Sequence, residues 1–316
     1  MGLGSNRGMA SRKARGMDSG VNLKQGNRDD LEEAAAVFTS LRPRLFGIAY
    51  RMLSSATEAE DLVQEVWLRW QLCDRAAVVN PPAFLATTMT RLVVNALRLA
   101  RVRRETYIGP WLPEPVDTSA DPYLGAERDA ALEFAALLLM DKLKPNERAA
   151  YVLREAFDYP YAQIADILQL TEPAVRQLVS RARKRMAGER RTPASPAAQR
   201  ELLTTFIAAA RNGDMAGLER LFAADVTSMS DGNGRAGVSR RPVAGVPRVA
   251  KFLNAISAWF WDGVDVRWAD TNGRTSAVLR RGGTVRAVLT VSASTDGIDR
   301  VLWMFNPDKI AAVSAR

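Results

Sequence analysis

The sequence predicts a multidomain protein in which two all-α helical domains, the second with a helix-turn-helix, precede an α+β domain. Three observations support this division. Apolar residues recur at helical spacing through most of residues 31–186, a proline-rich stretch at 109–115 interrupts that pattern, and β-rich runs separated by glycine turns follow residue 264. A chain of 316 residues is long enough for two or three domains. Helices followed by antiparallel strands are typical of the α+β class.

The first helical domain is predicted over residues 31–106, after a flexible tail at residues 1–30 that is rich in Gly, Ser and Arg. A second helix of this domain is expected to begin at Pro81–Pro82 and to run to Arg104, because proline is tolerated in a first helical turn. The apolar positions of the helix before it recur at helical spacing. They are Leu62, Val63, Val66, Trp67 and Trp70.

Two linkers are predicted around the second helical domain. The first covers residues 107–122, where alternating prolines favour an extended, polyproline-like connection. Helical patterning predicts the second domain over residues 123–190, and Pro193 and Pro196 mark the second linker at residues 191–197.

The C-terminal domain is predicted over residues 198–316. Two short helices separated by residues 212–214, and a third over Pro247–Trp259, lead into strands joined by turns that contain glycine. These strands are predicted at Val264–Trp268, Ser276–Arg280, Thr284–Ser292 and Ile298–Phe305.

The composition excludes several kinds of site. The chain has no histidine and one cysteine, Cys73, which excludes Ser-His-Asp and Cys-His nucleophilic sites and zinc sites built from His and Cys. We expect no cofactor and, because a lone cysteine builds no disulfide framework, a cytoplasmic location. The apolar runs are too short to cross a bilayer and the first thirty residues lack a secretory signal, so no membrane partner is expected. A net charge of +9 favours a polyanion as partner.

Residues 161–186 predict a helix-turn-helix. A short helix with a small apolar face is followed by a turn, in which Thr171 is the expected N-cap, and by a second helix with one apolar and one basic face. The second helix of such a motif enters the major groove, where Arg and Gln can pair with guanine and adenine. A surface helix with solvated arginines is the alternative. The residues expected to contact DNA are Thr171, Arg176, Gln177, Ser180, Arg181, Arg183 and Lys184.

The helix that begins at Pro82 carries a second basic stripe. Thr88 and the polar residues three, seven and ten positions later share one helix face, and arginines extend its end. Arginines and polar side chains beside an aromatic ring can hold single-stranded bases, although a solvated amphipathic face would show the same pattern. The stripe consists of Phe84, Thr88, Arg91, Asn95, Arg98, Arg101, Arg103 and Arg104.

An acidic stripe lies on the preceding helix, at Glu58, Asp61 and Glu65. Simple solvent exposure would explain it. Carboxylates close to DNA-binding elements repel phosphate, however, so they suit a basic protein partner better than DNA.

These segments resemble a known family. Residues 57–67 resemble the core-polymerase-binding segment of extracytoplasmic-function (ECF) sigma factors, Ala83–Arg104 resembles their −10 reading helix, and Leu143–Met186 resembles their −35 reading domain. The resemblance implies that core RNA polymerase and promoter DNA are partners. It also implies that the basic stripe captures melted −10 bases and that the helix-turn-helix reads the −35 duplex. The residues that would dock on polymerase are Asp61, Gln64 and Glu65.

The last third of the chain resembles the subgroup of ECF sigma factors with a fused SnoaL-like C-terminal domain, a cone that acts in place of a separate anti-sigma factor. Three motifs carry this resemblance, at residues 111–115, 231–235 and 306–309, although Asn233 and Arg235 stand where relatives usually have Gly and Lys. We expect the cone to pack on the linker, with Trp111 as an apolar anchor. The implied regulatory residues are Trp111, Leu112, Pro113, Glu114, Pro115, Asp231, Gly232, Gly234, Arg235, Asn306, Pro307, Asp308 and Lys309.

Catalysis by the cone is not expected. Some SnoaL-like domains are isomerases, cyclases or hydrolases and many bind small hydrophobic ligands, but this chain has no histidine and all six tyrosines precede residue 162. No phenol or imidazole of the cone could therefore pair with an aspartate base. Its aromatic residues form either a core or a pocket, so a small hydrophobic ligand or a protein partner stays open.

Two alternatives to a sigma factor remain at this point. A helix-turn-helix transcription regulator with a ligand-sensing domain would leave the acidic stripe unexplained. A SnoaL-like isomerase or hydrolase fused to a DNA-binding region would require turnover by residues 197–316.

Overall fold

The computed structural model describes residues 11–118, 133–189 and 192–314, and it confirms the predicted fold class. An N-terminal helical region is formed by α1 to α3, and a central helical region by α4 to α7. A C-terminal domain of helices and one mixed sheet follows.

The N-terminal helical region contains three long helices. Ser55 caps the second helix, because its backbone is extended and its Oγ accepts a hydrogen bond from the Glu58 backbone N–H at 3.1 Å. A short 3-10 turn at Arg75–Ala77 connects the second helix to the third. The helices are α1 (Ser11–Leu53), α2 (Ala56–Leu72) and α3 (Pro81–Glu105).

Helix α1 begins much earlier than the sequence indicated. A flexible tail was expected over residues 1–30, whereas the helix is continuous from Ser11, and residues 1–10 lie outside the described part of the chain. The composition of this segment indicates only that it has too few apolar residues to form a hydrophobic core. It does not forbid a helix, because a helix satisfies its backbone hydrogen bonds internally and can continue from a segment that is already folded.

The central helical region confirms the helix-turn-helix. It contains α4 (Phe134–Met140), α5 (Pro145–Glu155), α6 (Tyr161–Leu168) and α7 (Glu172–Glu189). Gln169 ends α6 in the left-handed conformation, with φ of 55°, and this sharp turn directs the chain into α7. Val175, Val179 and Ala182 of α7 are buried, as their spacing predicted. Residues 119–132, which include the end of the predicted linker and the start of this domain at residue 123, lie outside the described residues.

The two helical regions share one hydrophobic core, although the sequence divides them at a linker. Phe157, which follows α5, lies beneath the guanidinium groups of Arg44 and Arg51 of α1, at 5.4 and 5.0 Å from the ring centroid. The fully buried Arg148 of α5 donates a hydrogen bond to the Ser54 hydroxyl at 2.7 Å. The two regions therefore form one packed body.

The C-terminal domain is built on a six-stranded sheet with the strand order β2-β1-β6-β5-β4-β3. Its strands are β1 (Phe222–Asp231), β2 (Val243–Ala244), β3 (Val264–Thr271), β4 (Arg274–Arg281), β5 (Thr284–Ser294) and β6 (Gly297–Met304). Its helices are α8 (Pro196–Asn212), α9 (Met215–Leu221), α10 (Val246–Phe260) and α11 (Pro307–Ser314).

The sheet differs from the sequence prediction in one strand pairing. All strands were expected to be antiparallel, but β1 pairs in parallel with β6. Strand β1 was not predicted, because Ala, Asp and Ser lower the proportion of residues with high β-propensity in this segment. Two small polar residues of β1, Ser228 and Ser230, are buried. Ser228 accepts a hydrogen bond from the Trp303 indole at 3.2 Å.

The two faces of the sheet have different neighbours because side chains alternate along each strand. One face packs against α8, α9 and α10, with Phe206 and Trp303 in its core at a ring-centroid distance of 6.2 Å. The opposite face packs against Leu112 of the linker and Phe134 of α4. The sheet therefore joins its own helices to the rest of the chain.

Phe206→Ala should lower the free energy of unfolding of the C-terminal domain by about 3–5 kcal/mol, because it opens a cavity beside Trp303. Urea unfolding followed by near-UV circular dichroism measures the change. Thr205→Ala, on the exposed side of the same helix, should alter stability by less than about 0.5 kcal/mol. Equal effects of the two substitutions would contradict this packing.

Candidate functional site: the linker junction and the promoter-facing helices

The linker is held by a buried carboxylate at the end of β1. Asp231 is fully buried and accepts hydrogen bonds from the backbone N–H of Leu112 at 2.8 Å and from the Lys309 ammonium at 2.7 Å. The Tyr107 hydroxyl donates a third. A buried carboxylate is tolerated only with such compensation. We call these four residues together with Asn306 the linker junction.

Lys309 completes the linker junction from α11. Its ammonium also donates to the Leu112 carbonyl at 2.5 Å and lies 3.9 Å from the centroid of the Trp111 ring. Trp111 was expected to be the apolar anchor, but the anchor is Leu112, which is fully buried against the sheet. Trp111 instead covers the ammonium with its ring face, a geometry that stabilises a partly desolvated cation.

Asn306 and Tyr107 order the remaining donors of the linker junction. The Asn306 amide donates to the Tyr107 hydroxyl at 3.0 Å, and its own backbone N–H donates to the Asp231 carbonyl at 3.0 Å. Burial raises the pKa of Tyr107 above its ordinary value, and its hydrogen bond to the Asp231 carboxylate raises that pKa further. The phenol therefore stays protonated and remains a donor.

The motif at residues 231–235 is shaped by close packing. A Cβ on Gly232 would lie 2.8 Å from the Val238 side chain, and Asn233 and Gly234 both have positive φ. The turn lets the Gly234 N–H donate to the Ile108 carbonyl of the linker at 3.2 Å. Arg235 donates to the Phe305 carbonyl at 3.1 Å, so its contact is inside the domain.

The other motif residues have simpler positions. Pro113 and Pro115 are buried, while Pro307 and Asp308 are exposed in the first turn of α11. The Asp308 N–H donates to the Asn306 side chain at 3.2 Å, which caps this helix.

Glu114 ties the linker to the start of α2. Its carboxylate accepts hydrogen bonds from the Ser55 hydroxyl at 2.8 Å and the Thr57 backbone N–H at 2.9 Å. Its own N–H donates to the Ser54 carbonyl at 3.0 Å. A carboxylate at a helix N-terminus is favoured by the unpaired N–H groups there.

Tyr50 connects this contact to the C-terminal domain. Its hydroxyl donates to the Glu114 carbonyl at 2.6 Å and accepts from the Asn272 amide at 2.5 Å. Burial raises its pKa above the ordinary value, so it too stays protonated. The linker next lies along the β3–β4 hairpin, where the Asn272 N–H donates to the Val116 carbonyl at 2.9 Å and the Thr118 N–H donates to the Asp270 carbonyl at 3.1 Å.

The residues predicted to dock on polymerase lie on the surface of α2. Asp61 and Gln64 are exposed, and the partly exposed Glu65 forms an ion pair with Arg69 one helical turn later, at 2.8 Å. An exposed ion pair of this kind contributes little to stability. These side chains can therefore meet a partner without unfolding anything.

Several side chains of the basic stripe of α3 already make contacts within the protein. Arg91, Asn95 and Arg98 are exposed, but Phe84 packs on Trp70 at 5.8 Å between ring centroids, and Thr88 bonds to the backbone of its own helix. Arg91 donates to two carbonyls of α6, those of Ile167 at 3.2 Å and Asp166 at 3.4 Å. The side chains of Arg101, Arg103 and Arg104 lie outside the described residues.

The residues predicted to contact DNA from the helix-turn-helix lie together on its exposed side. Sequence reasoning missed the acidic residues that hold three of their arginines. Glu172 pairs with Arg176, Glu155 pairs with Arg183 at 2.7 Å, and the buried Glu147 lies 3.6 Å from Arg181. The exposed residues are Thr171, Arg176, Gln177, Ser180, Arg181, Arg183 and Lys184.

Within the described ranges, no group of three or more Asp, Glu or Cys side chains could hold a metal ion. None of the helices in those ranges is long and apolar enough to cross a membrane.

The helical regions and their exposed faces define a bacterial-type sigma factor, and comparison with known proteins supports this class. Residues 37–103 match the Sigma-70 region 2 family, and residues 133–186 match the Sigma-70 region 4 family. Proteins of this class are transcription initiation factors rather than catalytic enzymes.

The similarity extends through the C-terminal domain. The ECF RNA polymerase sigma factor SigJ of Mycobacterium tuberculosis is 36% identical over 289 residues, which cover 86% of this chain and 91% of SigJ. The crystal structure of SigJ matches with a TM-score of 0.71 at 32% identity, covering 88% of this chain and 98% of that one. SigG of the same organism is 30% identical over 66% of this chain and 65% of its own. This chain belongs to the ECF RNA polymerase sigma factor family.

Asp231→Ala should lower the free energy of unfolding by about 3–5 kcal/mol, because it removes the carboxylate that compensates the buried ammonium of Lys309. Adding Lys309→Met to this variant should restore part of the loss, since no unpaired charge remains. Urea unfolding of the two single variants and the double variant measures the coupling. Strictly additive effects would show that the pair does not interact.

Proposed function

We propose that this ECF sigma factor is restrained by its own C-terminal domain, which keeps the two helical regions packed together. One observation carries the proposal, namely the contact of Arg91 with the α6 carbonyls. Arg91 is on the face of α3 that we propose captures −10 bases, and α6 is the first helix of the helix-turn-helix. A guanidinium that donates to these carbonyls has fewer donors left for a promoter.

The shared core supports the same conclusion. Phe157 is stacked beneath two arginines of α1, and Arg148 reaches Ser54, so separating the helical regions would expose apolar and polar groups that now have partners. Reading two promoter elements that lie apart requires this separation. The free chain is therefore in a closed state, and polymerase and promoter have to favour an open one.

The C-terminal domain provides the restraint through the linker. The linker junction holds residues 107–112, Glu114 holds the start of α2, and the β3–β4 hairpin holds residues 116–118. Anything that binds the open state better than the closed state shifts the population by that difference in affinity. The domain thus acts as a regulator in cis.

The partner surfaces follow from exposure and charge. Asp61, Gln64 and Glu65 are proposed to dock on core RNA polymerase, because all three are accessible and two of them are carboxylates. If the basic faces contact about six DNA phosphates, the logarithm of the DNA-binding constant should fall linearly with the logarithm of the salt concentration, with a slope near −5. The −10 face is proposed to consist of Phe84, Thr88, Arg91, Asn95, Arg98, Arg101, Arg103 and Arg104, and the −35 face of the exposed residues of α7 together with Thr171.

Asp61→Arg should abolish most transcription in a run-off assay with reconstituted core polymerase, because it places a cation where the polymerase surface is expected to be basic. The side chain is exposed, so the fold should not change. Glu201→Arg, an equally exposed charge reversal on α8, should retain the wild-type amount of transcript. Equal transcript from both variants would contradict the docking role.

Leu112→Asp should open the chain, because it puts an unpaired carboxylate between the linker and the sheet. We expect a larger radius of gyration in solution X-ray scattering and more run-off transcript when the sigma factor is limiting. Leu72→Asp is the control, since Leu72 is 87% exposed. Scattering profiles that coincide for Leu112→Asp and the wild type would refute the restraint.

A further inference from the structure

The C-terminal domain contains a cavity, open to solvent on one side, that takes no part in the restraint of the helical regions. Its volume is about 420 Å³, which is within the range of small-molecule sites. It lies between α10 and the face of the sheet that packs on the domain's own helices. The walls are largely aromatic and aliphatic, formed by Phe252, Ile256, Trp259, Phe260, Trp303 and Phe305.

The aromatic residues of the cavity wall are only partly buried by the protein itself. Trp303 is buried beneath the cavity and packs on Phe260 and Phe305, at 5.4 and 6.1 Å between ring centroids. Trp259 stands at the side of the cavity with 56% of its surface exposed, although its large ring would gain from burial. An apolar body of a ligand would cover this exposed ring.

The polar lining of the cavity is strongly basic. Arg235, Arg281 and Arg286 contribute to it, and no carboxylate does. Across the described ranges of the chain, none of these three arginines forms an ion pair. Arg274, by contrast, pairs with Glu133 at 2.6 Å. Three unpaired cations beside an apolar cavity favour an anionic ligand.

Arg281 gives the most specific indication. Its terminal nitrogen donates to the carbonyls of Trp259 at 3.0 Å and Phe260 at 2.6 Å, which holds the side chain at the cavity. Its Nε is buried and has no hydrogen-bond partner. A buried donor without an acceptor is costly, and an anionic oxygen in the cavity is a chemistry that would satisfy it.

We propose that this cavity binds an amphipathic organic monoanion, with a carboxylate near Arg281 and Arg286 and an apolar body against Trp259 and Trp303. The apolar body distinguishes this ligand from inorganic anions, which would leave the aromatic wall uncovered. The carboxylate distinguishes it from neutral apolar molecules, which would leave the arginines without counter-charge.

Two residues that line the cavity are direct sequence neighbours of residues in the linker junction. Ser230 lines the cavity, and the next residue along β1 is Asp231, which faces the linker because neighbouring side chains alternate across a strand. Phe305 lines the cavity as well, and it is followed by Asn306 of the linker junction. A ligand that moves either strand end would alter the hold on the linker, and this consequence rests on the proposed function.

Calorimetric titration of the full-length chain tests the site. Decanoate and 2-naphthoate serve as probes with two shapes of apolar body, and decan-1-ol and decyltrimethylammonium serve as neutral and cationic comparators. We expect at least one carboxylate to bind and both comparators to bind at least about tenfold more weakly, since a charge-assisted hydrogen bond contributes that much or more. Failure of both carboxylates to bind at millimolar concentration, or equal binding of the comparators, would overturn the proposal.

Two variants and a control locate the binding. Arg286→Gln removes an exposed cation at the cavity and should weaken carboxylate binding about tenfold, while Arg248→Gln, an exposed arginine on α10 outside the cavity, should leave it unchanged. Ile256→Trp fills the cavity and should abolish binding. Wild-type affinity of Arg286→Gln or Ile256→Trp, at an unchanged Tm, would place the ligand elsewhere and overturn the assignment.

The titration contains neither polymerase nor DNA. Its result is therefore independent of whether the C-terminal domain restrains the helical regions. The scattering comparison of Leu112→Asp with the wild type tests that restraint separately.

Discussion

The arrangement of the whole chain depends on the hydrogen bonds and the ion pair made by the buried carboxylate of Asp231. It lies at the end of β1 with three donors around it, two of which, the Leu112 N–H and the Tyr107 hydroxyl, come from the linker. The third donor is Lys309, whose charge compensates the carboxylate. Since a buried charge is stable only with all its partners in place, the linker cannot leave the domain without a large cost in free energy.

The linker acts as a joint because it is bound at both sides. On one side it contacts the sheet through Leu112, and on the other side Glu114 caps α2. Tyr50 bonds to Glu114 and to Asn272 together, so the N-terminal helical region and the C-terminal domain meet at one hydroxyl. A change at the sheet can therefore reach the start of α2 through a few contiguous hydrogen bonds, which is a physical route for coupling between the domains.

Much of the candidate site was readable from the sequence, because its residues carry local signals. The helix-turn-helix follows from an apolar period, a turn and a basic face, and α7 indeed buries Val175 and Val179. The hydrogen bonds from Arg91 to α6 could not be predicted from the sequence, because they join residues about seventy-five positions apart through backbone carbonyls. The same holds for Glu147, whose pairing with Arg181 depends on how α5 crosses α7.

The sequence by itself determined the fold class, the helix faces and the family, since periodicity, turn residues and short motifs are properties of neighbouring positions. It also located the motifs at residues 111–115, 231–235 and 306–309, but not what they do to one another. Only the tertiary structure decided that Leu112 rather than Trp111 is the anchor, that β1 pairs in parallel with β6, and that the two helical regions share one core. These features arise from contacts between distant segments, and the free energy of such contacts depends on burial that no local pattern records.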